Sequence, residues 1–302
     1  GGSLLLRIGM RLSEVAPDLA KQTVADAVTI GVMSQPEDIC LLRHDGSGKN
    51  AFKNPLSFRY LDDNFIESDA VKIGKTFMDY LKKTKDPRIH VYCSLKDGNT
   101  EFDKQFGLPN GYDSHTIADA PSGSFVGLEN TSNFNINTIL RLDAPTIFLM
   151  PSETKLLLAE AVLRNWTNGN AEVLYKEAIT SSMKEQEIAY GTQGKITDEE
   201  IETYLAQNLL STANNTEKLQ IIGEQYWVAT FINGYESYAN WRRTGYPKLI
   251  PTNYSGSMSP GVIPTRLPYP TDEYSINRAN VDTANQQQGA DKVTTHIWWD
   301  ID

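Results

Sequence analysis

Residues 215–247 read NTEKLQIIGEQYWVATFINGYESYANWRRTGYP, and the spacing of their apolar side chains decides the fold class. Leu219, Ile222, Tyr226, Ala229, Ile232 and Tyr235 recur at three- and four-residue steps, which places them on one face of a helix. Trp227, Phe231, Tyr238 and Trp241 widen that face. A helix with so much aromatic surface has to be wrapped by other elements. Asn215, Thr216 and Glu217 offer capping chemistry at its start. At its end Arg242 and Arg243 suit the helix dipole, Gly245 a left-handed cap, and Pro247 blocks further helix. The stretch reads as the central helix of the C-terminal half.

Working upstream, Thr197-Asp198-Glu199-Glu200 caps a helix that runs to Leu210. Before it, Leu156 to Trp166 and Ala171 to about Glu187 form two helical patterns joined by a Thr167-Asn168-Gly169 turn, with Ser152 as the first cap. Helix, short turn and helix over about 34 residues is the size of a tetratricopeptide unit. Ser3 to Ala16 and Leu19 to Met33 predict another antiparallel pair, with Leu5, Ile8, Leu12 and Val15 inward on its first helix. Ser68-Asp69 begins a helix through Phe77, Met78 and Leu81 that ends at Asp86-Pro87-Arg88. Ile89, Val91 and Cys93 then alternate with polar residues as a short strand does.

Residues 95–135 are rich in Gly, Asn, Asp, Ser and Pro. A loop region this long inside a compact domain is uncommon, and its interleaved aromatics argue that it is ordered. Residues 248–302 carry Pro251, Pro260, Pro264, Pro268 and Pro270 and no helical pattern longer than two turns. They read as an ordered strap over the helices. The expected architecture is mainly α: tetratricopeptide-like helical hairpins with an irregular, loop-rich subdomain and short β segments. It forms one domain with sub-parts at 3–36, 37–150, 151–247 and 248–302.

The 302 residues are 40% hydrophobic and 22% charged, enough for a sizeable core. A net charge of −10 argues against a nucleic-acid partner, and no run of about 18 apolar residues occurs. Cys40 and Cys93 are the only cysteines; they could form one bridge, though nothing in their spacing says so, and buried free thiols are the blander reading. With scattered histidines and no CxxC, a zinc site has no support. Asp62, Asp63 and Asp97 lack the EF-hand spacing, and no GxSxG, HExxH or phosphate loop occurs. We expect no metal, no cofactor and no catalytic residue. The chain opens with Gly1-Gly2-Ser3 straight into a helical pattern, without signal peptide or lipid-attachment sequence, and reads as the C-terminal portion of something longer.

Several segments resemble one family. LLLAEAVLRNWTNGNAEVLYKEAITSSM is similar to the helical repeat of the SusD/RagB family, the surface glycan-binding lipoproteins of Bacteroidetes. QYWVATFINGYESYANWRRTGYP resembles that family's late helix, and Arg266 to Glu273 with Asn277 its C-terminal RxxYPxxExxxN segment. Trp298-Trp299-Asp300 resembles its WWD ending, while DPRI at 86–89 and FGLPNGY at 106–112 fit the central part. The resemblance implies a binding protein at the outer-membrane surface. Its partners would be an oligosaccharide and a SusC-like TonB-dependent transporter, and its membrane attachment a lipid anchor that this chain lacks.

Sugar recognition needs flat apolar faces for the rings and amides or carboxylates for the hydroxyls, on loops over a rigid scaffold. Phe106, Asn110, Tyr112 and Asp113, with His115, offer that inventory in the 95–135 loops, and Trp166 offers a ring at a helix–turn junction. Against this, Asn-Gly and Asp are ordinary turn formers, and Trp166 suits core packing. Trp227, Trp241, Trp298 and Trp299 read as framework. Arg242, Arg243 and Glu273 read as a capping cation and a buried ion pair fastening the strap. Two other functions compete with glycan capture. A helical-repeat scaffold or peptide-binding member would show an apolar groove and no aromatic platform. A glycosidase would need facing carboxylates about 5–9.5 Å apart, and no such pair is evident.

Overall fold

The structure, a computed structural model, describes residues 1–62, 72–113, 115–210, 214–254 and 256–300. The expected helix start at Ser68-Asp69, and Asp63, lie outside these residues. The chain begins with the antiparallel pair α1 (Gly2–Arg11) and α2 (Pro17–Ile30), followed by β1 (Cys40–Leu42) and α3 (Pro55–Asp62). α4 (Lys75–Thr84) leads through Asp86-Pro87-Arg88 into the single turn α5 (Ile89–Tyr92) and β2 (Cys93–Ser94). The loop region then returns through β3 (Asn133–Phe134) and β4 (Thr146–Leu149). Helices α6 (Pro151–Leu163), α7 (Ala171–Tyr190), α8 (Asp198–Gln207), α9 (Asn215–Ala229) and α10 (Gly234–Thr244) form the helical body, and α11 (Thr271–Ile276) and α12 (Arg278–Gln288) lie in the strap. β1 pairs with β4 and β2 with β3, both antiparallel. None of the described helices is long and apolar enough to cross a membrane. The fold is mainly α.

Several elements differ from their sequence reading for identifiable reasons. The stretch 215–247 is two helices, because Asn233-Gly234 breaks it. Asn233 becomes the cap of α10, accepting from the Glu236 amide, and Tyr235 points out at 92% exposed. Ile222, Tyr226 and Ala229 are buried as expected. The α9 cap sits one residue earlier than read, at Asn214, in a reciprocal box with Glu217. On α1 the buried line is Leu6 and Met10, while Ile8 is 53% exposed. Gly9 allows that rotation, since a Cβ there would lie 2.9 Å from Thr23 of α2. Ile89 and Val91 form the helical turn α5 and not a strand. Ser152 is not the α6 cap; Pro151 takes the first turn, and Ser152 donates its amide and hydroxyl to the Glu185 carboxylate of α7. α12 runs three turns, longer than the strap was expected to hold.

One buried cation ties the helical body together. Arg88 is fully buried and donates to both oxygens of Asp86, at 2.9 and 2.5 Å, to Ser182 of α7 at 2.9 Å and to Gln225 of α9 at 2.8 Å. Gln225 in turn donates to the hydroxyls of Tyr204 and Tyr80. A desolvated guanidinium is tolerated only with its donors matched in this way. The strap is fastened differently from the expected ion pair. Arg243 forks onto Glu160 of α6 at 2.6 and 2.7 Å, and Glu273 accepts from Asn277. Arg242 donates to the Thr265 carbonyl and lies 4.2 Å from the Tyr238 ring and 4.5 Å from that of Trp299. Trp299 is thus framework, whereas Trp298 is 68% exposed. Both cysteines are free; Cys93 is interior, but Cys40 is exposed.

Candidate functional site

The loop after Phe106 is pinned to the start of α4. Leu108 donates to the Ile73 carbonyl and accepts from the Lys75 amide, both at 2.7 Å. Gly107 permits this approach, since a Cβ there would sit 2.4 Å from the Lys75 Cα. The same loop meets the strap. Asp113 accepts from the amides of His115 and Thr116 through one oxygen, an Asx-type turn, and from the Tyr254 hydroxyl at 2.5 Å through the other. The Tyr254 hydroxyl, then the two amides, hold the Asp113 carboxyl well below its usual range, and Asp113 raises the Tyr254 phenol.

Between this loop, the first turn of α4 and strap residues 249–252 and 257–264 lies a cleft of about 480 Å³. Its inner wall is the half-buried Trp227, held edge-on by Phe77 at 4.9 Å and by Tyr80 at 5.9 Å. Phe77 itself stacks flat on Phe231 at 4.2 Å, so the indole rests on a rigid aromatic base. Asn110, Thr76, Thr252 and Ser257 line the rim. The side chains of Asn110, Thr76 and Thr252 make no hydrogen bond to other described protein groups, and Ser257 only accepts, from the Ser259 amide. The arrangement offers the Trp227 indole and apolar strap residues such as Ile250, Pro251 and Val262, with amide and hydroxyl groups among them.

The five residues flagged from sequence divide. Asn110 lines the cleft. Asp113 stands behind it and positions the strap through Tyr254. Tyr112 is half-buried beside them without lining it. Phe106 is 39% exposed with the Lys82 ammonium 4.2 Å from its ring centroid, outside the cleft. Trp166 packs against the core under Arg164 and lines none of it. Sequence reasoning missed Trp227, read only as framework, and the strap residues Thr252 and Ser257. For Trp227 the signal was its place beside the Ile222–Tyr226–Ala229 line, off the most buried face.

A larger groove of about 1290 Å³ runs between β4 and the start of α10, past Phe148, Ile147, Leu56 and Tyr235. Its charged groups are largely committed: Arg7 to Glu153, Arg266 to Asp291 and Arg242 through Nη1 to the Thr265 carbonyl, with the Arg242 Nε left unpartnered among the described residues. Its described lining therefore offers few uncommitted polar groups to orient a small ligand. Among the described residues no group of His, Cys, Asp and Glu is arranged to hold a metal.

The family profile described as SusD-like, Susd and RagB outer membrane lipoprotein, matches residues 1–300. Among solved structures, a chitin-binding protein is 30% identical with a TM-score of 0.83, over 100% of this chain and 64% of that one. A Bacteroidetes SusD-like protein is 26% identical with a TM-score of 0.82, over 100% and 69%. A chitin-binding SusD homologue from Flavobacterium johnsoniae is 25% identical with a TM-score of 0.79, over 100% and 62%. The chain thus spans less than two thirds of the length of the first and third of these. No curated protein matches it in sequence.

Proposed function

This chain belongs to the SusD and RagB outer membrane lipoprotein family, and from that premise we propose that it captures oligosaccharide at the cell surface in the cleft between loop 107–113 and strap residues 249–252 and 257–264. Trp227 supplies the ring face, Asn110 and Thr252 bond sugar hydroxyls or acetamido groups, and Asp113 with Tyr254 holds the two walls together. The single observation that carries this reading is an indole on a rigid aromatic base, in an otherwise apolar cleft bordered by Asn110, Thr76 and Thr252, whose side chains no described protein group satisfies. Chito-oligosaccharides are the first ligands to test, given the chitin-binding relatives. The bound glycan passes to a SusC-like TonB-dependent transporter.

Binding without cleavage fits this lining. Its described residues include no carboxylate, and glycoside hydrolysis uses a facing pair. A glycan screen followed by calorimetry tests the proposal. Asn110→Ala should weaken the best ligand several-fold, whereas Trp166→Ala should leave it unchanged. Absence of any glycan ligand, or an Asn110→Ala protein that binds as the parent does, would instead favour the protein-binding scaffold.

A further inference from the structure

We propose a second carbohydrate-binding cleft, built from the α4–α5 turn, the loop around Thr100, and the α7–α8 connection with the outer face of α8. It has two arms. The first, about 500 Å³, has an apolar floor of Pro87, Ile89, Phe102 and Tyr204, bordered by Thr203 and Gln207 of α8. The second, about 360 Å³, runs past Asn135, Asn137, Thr192 and Gln193. His90 and Thr100 line both arms, so the two lie side by side. It shares no lining residue with the cleft under Trp227.

The chemistry of the lining selects the ligand. Some polar groups are spent on the protein: Glu200 closes the α8 capping box, the Asn135 amide donates to the His90 carbonyl at 2.8 Å, and His90 Nε2 lies 3.3 Å from the Lys195 carbonyl. What remains is a row of neutral groups. The side chains of Thr100, Thr203, Gln207, Asn137 and Gln193 make no hydrogen bond to other described protein groups. Lys85 and Lys195 are offset by Glu199 and Glu200, so the cleft has no field of one sign to draw a polyanion or polycation. Apolar surface, mainly of Pro87 and Phe102, in one arm and uncommitted amides and hydroxyls in the other fit a neutral, polyhydroxylated ligand. Amides can both donate to and accept from sugar hydroxyls. An extended peptide would look for an unpaired strand edge or deep side-chain pockets, and the described lining supplies neither.

Calorimetry with short and long neutral oligosaccharides of the chito, cello and malto series tests this, using the parent, Thr203→Arg, Gln193→Ala and Asn110→Ala. Thr203 is exposed, so arginine there fills the mouth without disturbing the core, and an unchanged melting curve checks that. The expected result is a second equivalent of sugar bound by the parent and by Asn110→Ala at this cleft. It should be lost in Thr203→Arg and weakened several-fold in Gln193→Ala. Oligosaccharide binding that is identical in parent and Thr203→Arg would overturn the proposal. So would a cleft that binds peptides and no saccharide of the panel.

Discussion

The Tyr254 hydroxyl lies 2.5 Å from the Asp113 carboxylate, joining the strap to the central loop across 141 positions of sequence. Beside it Thr252 abuts Gly111, where a Cβ would lie 2.8 Å from the threonine Cβ. These contacts hold the outer wall of the Trp227 cleft. Tyr254→Phe should let the Asp113 pKa climb toward the ordinary carboxylate range, because the phenol is the largest cause of its depression. A carbon-detected NMR titration of the carboxylates reads this directly. The same variant should weaken oligosaccharide binding several-fold with little change in melting temperature.

Arg88 joins Asp86, Ser182 and Gln225 in the interior. Arg88→Ala leaves the Asp86 carboxylate buried without its partner, and urea unfolding should show a loss of about 3–5 kcal/mol. A loss below about 1 kcal/mol would mean that the network does not tie α5 to α7 and α9.

Glu185 sets an expected pH dependence. Burial pushes its carboxyl up to about 7, against the opposing hydrogen bonds from Ser152 and the more distant Lys155, with Glu153 adding a smaller push upward. Between its ordinary value of 4.5 and about 7 the folded protein therefore holds a proton that the unfolded chain has released. The stability this proton contributes is full below the lower value and lost as pH rises through the upper, by an amount on the order of a few kcal/mol. Urea midpoints should fall across that window in the parent and stay flatter in Glu185→Gln.

The two thiols should react differently. Cys40 is exposed, while Cys93 is interior and burial drives its pKa up. A thiol reagent should label Cys40 in the native protein and Cys93 only after denaturation. Rapid native labelling of Cys93 would contradict its place in the core.

Much of the fold was legible because helix periodicity and caps are local signals. The α6–α7 hairpin, the Thr197–Glu200 box and the Gly245 left-handed cap lie where the sequence placed them. The rotation of α1 was harder, since it is settled by the contact of Gly9 with Thr23 of α2, whereas the division at Asn233-Gly234 rests on a local turn and cap that the aromatic periodicity running across it masked. The cleft was legible only in part. Asn110 and Asp113 stood out as loop polar residues, but Thr252 and Ser257 are unremarkable in a proline-rich segment until the strap folds back onto residues 107–113. Trp227 looked like core because its neighbours are core. Only the packing of Phe77 and Tyr80 around it, with the strap folded alongside, makes it part of a cleft lining.

The most direct test of the central claim is a crystal structure of the protein with a chito-oligosaccharide that it binds in solution. A sugar ring should lie over Trp227, with its polar substituents bonded to Asn110 and Thr252. Sugar found only elsewhere on the molecule, with the Trp227 cleft empty at saturating ligand, would contradict it.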